Sequence, residues 1–268
     1  MLKYVNHLGE TIEFDGKNFF TNSYVMRDYA WNYDNDFNKI KNFNVAGINS
    51  KTLAVSMYTS SQAAAFEIFN SVFEIFEKDV FSHTPGKFRL GNYYYNCYIS
   101  SSTKKEFVSA KNLLNLEFTV LSDTNTWVRE ESHSFSKNQQ ISGHGYVYGY
   151  PYRYASGLVK TFSNDALISS NFKLIIYGPA SDPALYIGNH LYSVETEVEP
   201  GEYLEIDSRK KIVDLVQADG TRISKINFRN RDSYIFQKIP AGSVSASWNN
   251  SFGFDLIIYD ERSEPKWT

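Results

Sequence analysis

The densest cluster of side chains able to do acid–base chemistry in this 268-residue chain is Glu195, Glu197, Glu199, Glu202 and Glu205. A pair of carboxylates can hydrolyse a glycosidic bond, one as acid and the other as base or nucleophile. Here, however, Glu195 and Glu197 alternate with Val194, Thr196 and Val198, the period-2 pattern of a strand with one wet face. The five histidines (His7, His83, His133, His144 and His190) are scattered without the spacing of metal ligands. Asp34-Asn35-Asp36-Phe37-Asn38 opens like a calcium loop, but Lys39 and Val45 stand where such a loop needs Gly and Glu, so a polar loop or turn is expected. The single cysteine, Cys97, lies in an aromatic strand and reads as a small packed hydrophobe rather than a nucleophile. The chain contains no Gly-x-Ser-x-Gly elbow, no His-Glu-x-x-His, no phosphate loop and no dinucleotide fingerprint. These residues predict a protein that is not an enzyme and takes no metal or cofactor.

One further constellation is aromatic. Tyr146, Tyr148, Tyr150, Tyr152 and Tyr154 occupy every second position, so an extended backbone would project all five rings from one face. Such a row can stack sugars, or it can fill an inter-domain or inter-subunit seam with large area at small entropic cost. Pro151 removes a ladder donor, which suits an edge strand or linker, and the seam is the preferred reading. Tyr148, Tyr152 and Trp248 are the candidate residues of a carbohydrate or docking surface.

Charge narrows the partners. Lys and Arg number 27 against 30 Asp and Glu, a formal charge of −3, and the basic runs Lys104-Lys105 and Arg209-Lys210-Lys211 are short. Dedicated nucleic-acid binding needs a basic surface that releases counterions, so it is not expected. The first residues lack the apolar core of a signal peptide, and no stretch is long and apolar enough to span a bilayer. Synthesis in a cytoplasm, without membrane insertion, is the expectation.

The elements that would position these residues are mostly strands. From Phe172 to Trp248, short alternating or apolar runs are separated by turn signals at Gly178-Pro179, Gly188-Asn189, Pro200-Gly201 and Asp219-Gly220. About seven strands in a hundred residues predict a β-sandwich or jelly roll. Earlier, strands are expected at Tyr4-Val5, Thr11–Phe14, Leu53–Tyr58, Phe88–Ser101, Leu116–Val120 and Trp127-Val128. One helix is expected, with Thr59 and Gln62 as a capping box and Phe66, Phe69, Phe73, Phe76 and Val80 as its apolar stripe, widened by Ile68, Val72 and Ile75. The polar run from Glu130 is the best boundary. It predicts an α+β domain over 1–133, a linker over 134–144 and a β-sandwich over 145–268.

Several segments, in order and spacing, resemble the distal tail (Dit) proteins of siphophages, in the phage tail component family. They are Asp28-Tyr-Ala-Trp31-Asn-Tyr33, Pro85–Tyr95, Glu117-Phe-Thr119 and Trp127–Glu130 in the first half. In the second half they are Phe172–Pro179, Gly201–Asp207, Tyr234-Ile-Phe236, Ile239–Gly242 and Glu261–Trp267. The resemblance implies a mainly β protein: an N-terminal ring-forming domain with one main helix, then a galectin-like β-sandwich. It implies a homo-hexameric hub at the distal end of a phage tail, in the virion. The implied partners are the tail tube protein, the tail-associated lysin and receptor-binding or baseplate proteins, with DNA only passing through the ring. Some members carry inserted carbohydrate-binding modules, for which this chain is short. Recognition of cell-wall saccharide by the C-terminal sandwich is the alternative function.

Overall fold

The computed structural model describes residues 1–14, 16, 18–44, 48–108, 113–137 and 158–267. It is mainly β, with a single α-helix among the described residues. The chain forms two compact units, Met1–Arg129 together with Glu261–Thr268, and Glu130–Asp260.

The first unit contains β1 (Leu2–Val5), β2 (Thr11–Glu13), β3 (Phe19–Thr21), β4 (Asn32–Asp36), β5 (Lys39–Asn44), β6 (Asn49–Tyr58), α1 (Gln62–Phe81), β7 (Gly86–Leu90), β8 (Tyr93–Val108), β9 (Leu113–Ser122) and the start of β10 (Trp127–Phe135). Antiparallel pairing runs β2-β1-β7-β8-β9-β6-β3. Strand β8 serves three neighbours: Tyr93–Cys97 pair with β7, Tyr94 also pairs with Val128 of β10, and from Tyr98 onward β8 pairs with β9. Alternate residues of these strands point inward, so Leu2, Tyr4, Phe88, Leu53, Val55, Leu116, Phe118 and Val120 close one core with α1 against it.

The helix begins two residues later than its sequence signal suggests. Ser61 is the N-cap, and its hydroxyl accepts from the Ala64 N–H at 3.2 Å. Thr59 is buried and donates to the Ser61 carbonyl instead. With Ala64 at the third helical position, no side chain can return the bond, so this is a simple cap and not a capping box. The buried stripe is Ala65, Phe69, Val72, Phe76 and Asp79, whereas Phe66 and Val80 are exposed. Both sets obey three-and-four spacing, and only the sheet decides which set is covered.

The second unit holds most of β10, then β11 (Leu158–Asn164), β12 (Asn171–Tyr177), β13 (Ala180–Ser181), β14 (Ala184–Ile187), β15 (His190–Ser193), β16 (Glu197–Val198), β17 (Tyr203–Asp207), β18 (Ile212–Val216), β19 (Arg222–Ser224), β20 (Gly242–Trp248) and β21 (Phe254–Arg262). One sheet orders β19-β18-β17-β12-β21, and another orders β11-β20-β14-β15. Their inner faces meet in one core, with Phe172 edge-on to Tyr192 (5.2 Å) and Trp248 edge-on to Phe254 (5.0 Å). The sandwich and the Gly188-Asn189 hairpin are as expected; both turn residues have positive φ, and Ile187 faces His190 across the two-residue loop. The run Tyr192–Val198 keeps its alternation of burial but splits between β15 and β16, which pair in different sheets.

Two expected boundaries differ. Ser134 and Phe135 lie in β10, not in a linker, and Phe135 stacks on Phe254 at 4.5 Å in the second core. The last residues belong to the first unit rather than to the sandwich. There Trp267 stacks on Tyr24 (5.4 Å) and lies under the Arg27 guanidinium (4.2 Å), while Arg27 donates to the Pro265 carbonyl at 2.9 Å.

Candidate interaction surfaces and a buried polar node

Asp79 sits on the apolar stripe of α1 and is fully buried. Its carboxylate accepts from the Tyr4 hydroxyl (2.5 Å) and from the His7 backbone N–H (2.9 Å), and it meets His7 Nδ1 at 2.5 Å. Burial, then the bond to Asp79, raises the Tyr4 phenol far above its ordinary range. The preceding residue, Lys78, reaches Glu10 at 2.7 Å, and Asn6 donates to the same carboxylate at 2.6 Å. Lys78 and then Asn6 hold the Glu10 carboxyl below its ordinary value. The last turn of α1 is therefore riveted to β1 and to the turn that follows it. Gly86 completes the node: a Cβ there would lie 2.2 Å from the Tyr4 hydroxyl and 2.3 Å from Asp79 Oδ2.

This node has three residue types familiar from catalysis, and its geometry speaks against a relay. In a Ser-His-Asp triad the carboxylate and the hydroxyl occupy opposite nitrogens of the imidazole. Here Asp79 and Ser82 both approach Nδ1, Ser82 only at 3.5 Å, so the ring cannot pass a proton between them. The arrangement fixes structure. The sequence did carry a signal for it, since Asp79 continues the Val72–Phe76 spacing.

The acidic cluster is likewise dispersed. Glu195, Glu197 and Glu199 point to solvent, as their alternation predicts. Glu205 is buried, and it pairs with Arg222 (3.2 Å) and Lys173 (3.8 Å), each from a strand beside or near its own. Among the described residues, no three His, Cys, Asp or Glu side chains converge as metal ligands do. Cys97 is buried, and burial raises its thiol pKa well above the ordinary value. No described helix is long and apolar enough to cross a membrane.

Of the three residues proposed for a carbohydrate or docking surface, Trp248 is a core residue. It is 4% exposed, its indole donates to the Phe252 carbonyl at 3.0 Å, and it packs on Phe135 and Phe254. The alternation of β20 that made it conspicuous is what turns it inward. Tyr148 and Tyr152, with the rest of the tyrosine row, lie outside the described residues.

The conspicuous surfaces are in the first unit. Strands β4 and β5 form a two-stranded hairpin that pairs with no other described strand. Tyr33 faces Phe43 across it, and a bulge skips Lys41 so that Ile40 comes opposite Asn35, on the same face as Tyr33 and Phe43. All three are exposed, as are Tyr29 and Trp31 just before β4. At the tip Phe37 is 96% exposed and adopts a left-handed conformation (φ 52°), an uncommon state for a bulky residue. The stretch is a strand pair rather than the polar loop or turn expected, because Asp34, Asn35, Asp36 and Asn38 are interleaved with its apolar residues.

The second surface is an open groove of about 1040 Å³ beside α1. Its apolar wall comes from Ile12, Phe19 and Phe20 on one side and Ile68, Val72 and Ile75 of the helix on the other. Glu13 and Glu67 also line it. Strands β2 and β3 flank it, and among the described strands each is hydrogen-bonded to a single neighbour.

Comparison with known proteins bears on the whole chain. No protein-family model matches it, and no curated protein matches it. Among solved structures it is similar to SPP1 Dit, described as a paradigm of the hub adsorption apparatus in phages infecting Gram-positive hosts. The TM-score is 0.61 at 7% identity, over 98% of this chain and 99% of that one. It is also similar to a chain of the phage P2 baseplate in its activated conformation with calcium, with a TM-score of 0.60 at 12% identity over 99% and 100% of the two chains. The same baseplate with strontium gives 0.57 at 12% identity, over 99% and 100%. The chain thus has, from end to end, the fold of phage tail-hub and baseplate proteins.

Proposed function

We propose that this chain is a structural, non-enzymatic hub protein of a phage or prophage tail tip. In this reading its first unit assembles into a ring of six copies. Its second unit, a galectin-like sandwich, faces outward to other tail proteins. The ring would join the tail tube to the tail-associated lysin and the receptor-binding apparatus, with DNA passing through without being held. Its place would be the distal end of the tail in the virion, after synthesis in the host cytoplasm.

The observation that carries this reading is the match over 98–100% of both chains to hub and baseplate structures, with neither side left over. The first unit also leaves large aromatic side chains exposed, among them Tyr33, Phe37 and Phe43 of one hairpin, as an assembling protein does. Ring formation requires a heterologous contact repeated by rotation, and each such interface typically buries ~1,600 Å². The saccharide-binding alternative loses Trp248 to the core and rests on Tyr148 and Tyr152 alone.

Light scattering coupled to size exclusion, followed by negative-stain imaging, tests the proposal. Six-fold rings of the full chain, alone or with the neighbouring tail proteins, are expected. A monomer at high concentration that forms no ring with those proteins would overturn it.

A further inference from the structure

The first unit holds another hollow, of about 530 Å³ and more enclosed than the groove beside α1. Four stretches far apart in the chain line it. Arg27 comes from the end of a short 3₁₀ helix (Ser23–Arg27), Asn92 and Tyr93 from the β7–β8 turn, Arg129 from β10, and Lys266 from the C-terminal segment. Among the described residues, every charged side chain of the lining is cationic and none is acidic. Like charges gathered around a half-enclosed hollow repel one another and focus a positive field into it. Glu264 stands 3.9 Å from Arg27 Nη1, beyond hydrogen-bonding distance, and its Oε1 takes the Trp267 indole N–H at 2.7 Å. It does not line the hollow.

Two of the cations are held in place. Arg27 donates to the Pro265 carbonyl at 2.9 Å, and its guanidinium lies 4.2 Å from the centre of the Trp267 ring. The Arg129 guanidinium lies over the Tyr93 ring at 5.9 Å. Planar forks fixed in this way lose little freedom on binding and match the spacing of phosphate oxygens. The other two polar groups can turn to a ligand. Lys266 and Asn92 are exposed, and neither side chain makes a hydrogen bond or ion pair with any described residue. Three positive charges suit a dianion with several acceptor oxygens better than a single carboxylate. The volume lies in the range of small-molecule sites, leaving room for a group that carries the anion.

We propose that this hollow binds a phosphoryl group, with Arg27 and Arg129 clasping its oxygens and Lys266 and Asn92 closing over them. The group can arrive as the ester of a sugar or polyol, or as free orthophosphate. The site goes beyond the hub reading and stands or falls without it.

Isothermal titration calorimetry of the full-length protein at low ionic strength tests it, with glucose 6-phosphate, orthophosphate and glucose as probes. Saturable binding of the phosphorylated probes, and none of glucose, is expected. Tighter binding of glucose 6-phosphate assigns the site to an ester, and equal binding assigns it to the free ion. Lys266→Gln and Arg27→Gln should each weaken binding roughly tenfold, the loss of one charge-assisted hydrogen bond. Lys225→Gln, outside the hollow, should leave it unchanged. Lys266 is exposed and makes no described bond, so its variant should keep the native thermal midpoint, and its weaker binding would not reflect unfolding. Absence of saturable binding by either phosphorylated probe, or binding that Lys266→Gln and Arg27→Gln leave intact, would overturn the proposal.

Discussion

Asp79 of α1 and Tyr4 of β1, 75 residues apart in the chain, share a buried hydrogen bond of 2.5 Å. The carboxylate lies on the stripe that packs α1 against the sheet, where sequence periodicity alone would place an apolar side chain. It is accommodated because three donors converge on it from the same short segment, Tyr4 and His7. The register of helix against sheet is thereby set by polar contacts as well as by the phenylalanines around them.

Removing the acceptor should therefore cost more than removing one donor. Asp79→Ala strands the Tyr4 hydroxyl and the His7 N–H, each worth about 1–3 kcal/mol when left unsatisfied. Tyr4→Phe should cost about 1–2 kcal/mol, and the double variant should be less destabilised than the sum of the two. Urea denaturation of the four proteins checks this. Simple additivity would show that the two residues do not act together.

Gly86 is expected to resist any side chain. Its Cβ would enter the space of the Tyr4 hydroxyl and Asp79 Oδ2, so Gly86→Ala should lose about 2–3 kcal/mol through overpacking of the node. Gly16→Ala, whose new Cβ meets nothing nearer than 3.6 Å, should stay within about 0.5 kcal/mol of native. Thermal midpoints of the two variants separate the cases.

Alkali should unfold the protein with a defined sign. The Asp255 carboxylate, then burial, pushes the Tyr177 phenol up to about 12, and burial raises Tyr4 and Tyr192 further. Unfolded phenols ionise near pH ~10. Stability from these groups is thus fully present below pH ~10 and is lost as pH rises through their folded values, because the unfolded chain releases its protons first. Absorbance titration of the phenolate should show a late class of tyrosines, and Tyr177→Phe should remove the step near 12. On the acid side, the lowered Glu10 carboxyl contributes stability above its ordinary pKa that is lost as pH falls through the folded value.

The two tryptophans that bracket the C-terminal stretch should behave oppositely. Trp248→Ala opens the second core and should cost about 3–5 kcal/mol. Trp267→Ala removes an exposed stack with Arg27 and Tyr24 and should cost about 1 kcal/mol or less. Near-equal effects in chemical denaturation would contradict the assignment of Trp248 to the core.

Much of the fold could be read locally. The period-2 runs between Phe172 and Trp248, with Gly and Pro at the breaks, correspond to β12, β14, β15, β17, β18 and β20. Strand β21 was equally legible in Phe254, Leu256 and Ile258, which alternate with Asp255 and Ile257 and are all buried. The expected strands end at Trp248, so β21 is added by the structure. The β4–β5 hairpin was harder. Its apolar residues are separated by acids and amides, and its bulge breaks the alternation on which strand reading depends.

Periodicity, turn chemistry and the order of elements are properties of neighbouring residues, so the chain's letters are enough to announce strands, one helix and the sandwich. Other features depend on contacts between residues far apart in the chain. Whether Phe69 or Phe66 of one helix is covered, whether Asp79 can be buried, whether Trp248 faces a ligand or a core, and which unit receives Trp267 were all settled by the folded structure. In each case the side chain's own chemistry permits either answer, and the partner that decides it comes from a distant part of the sequence.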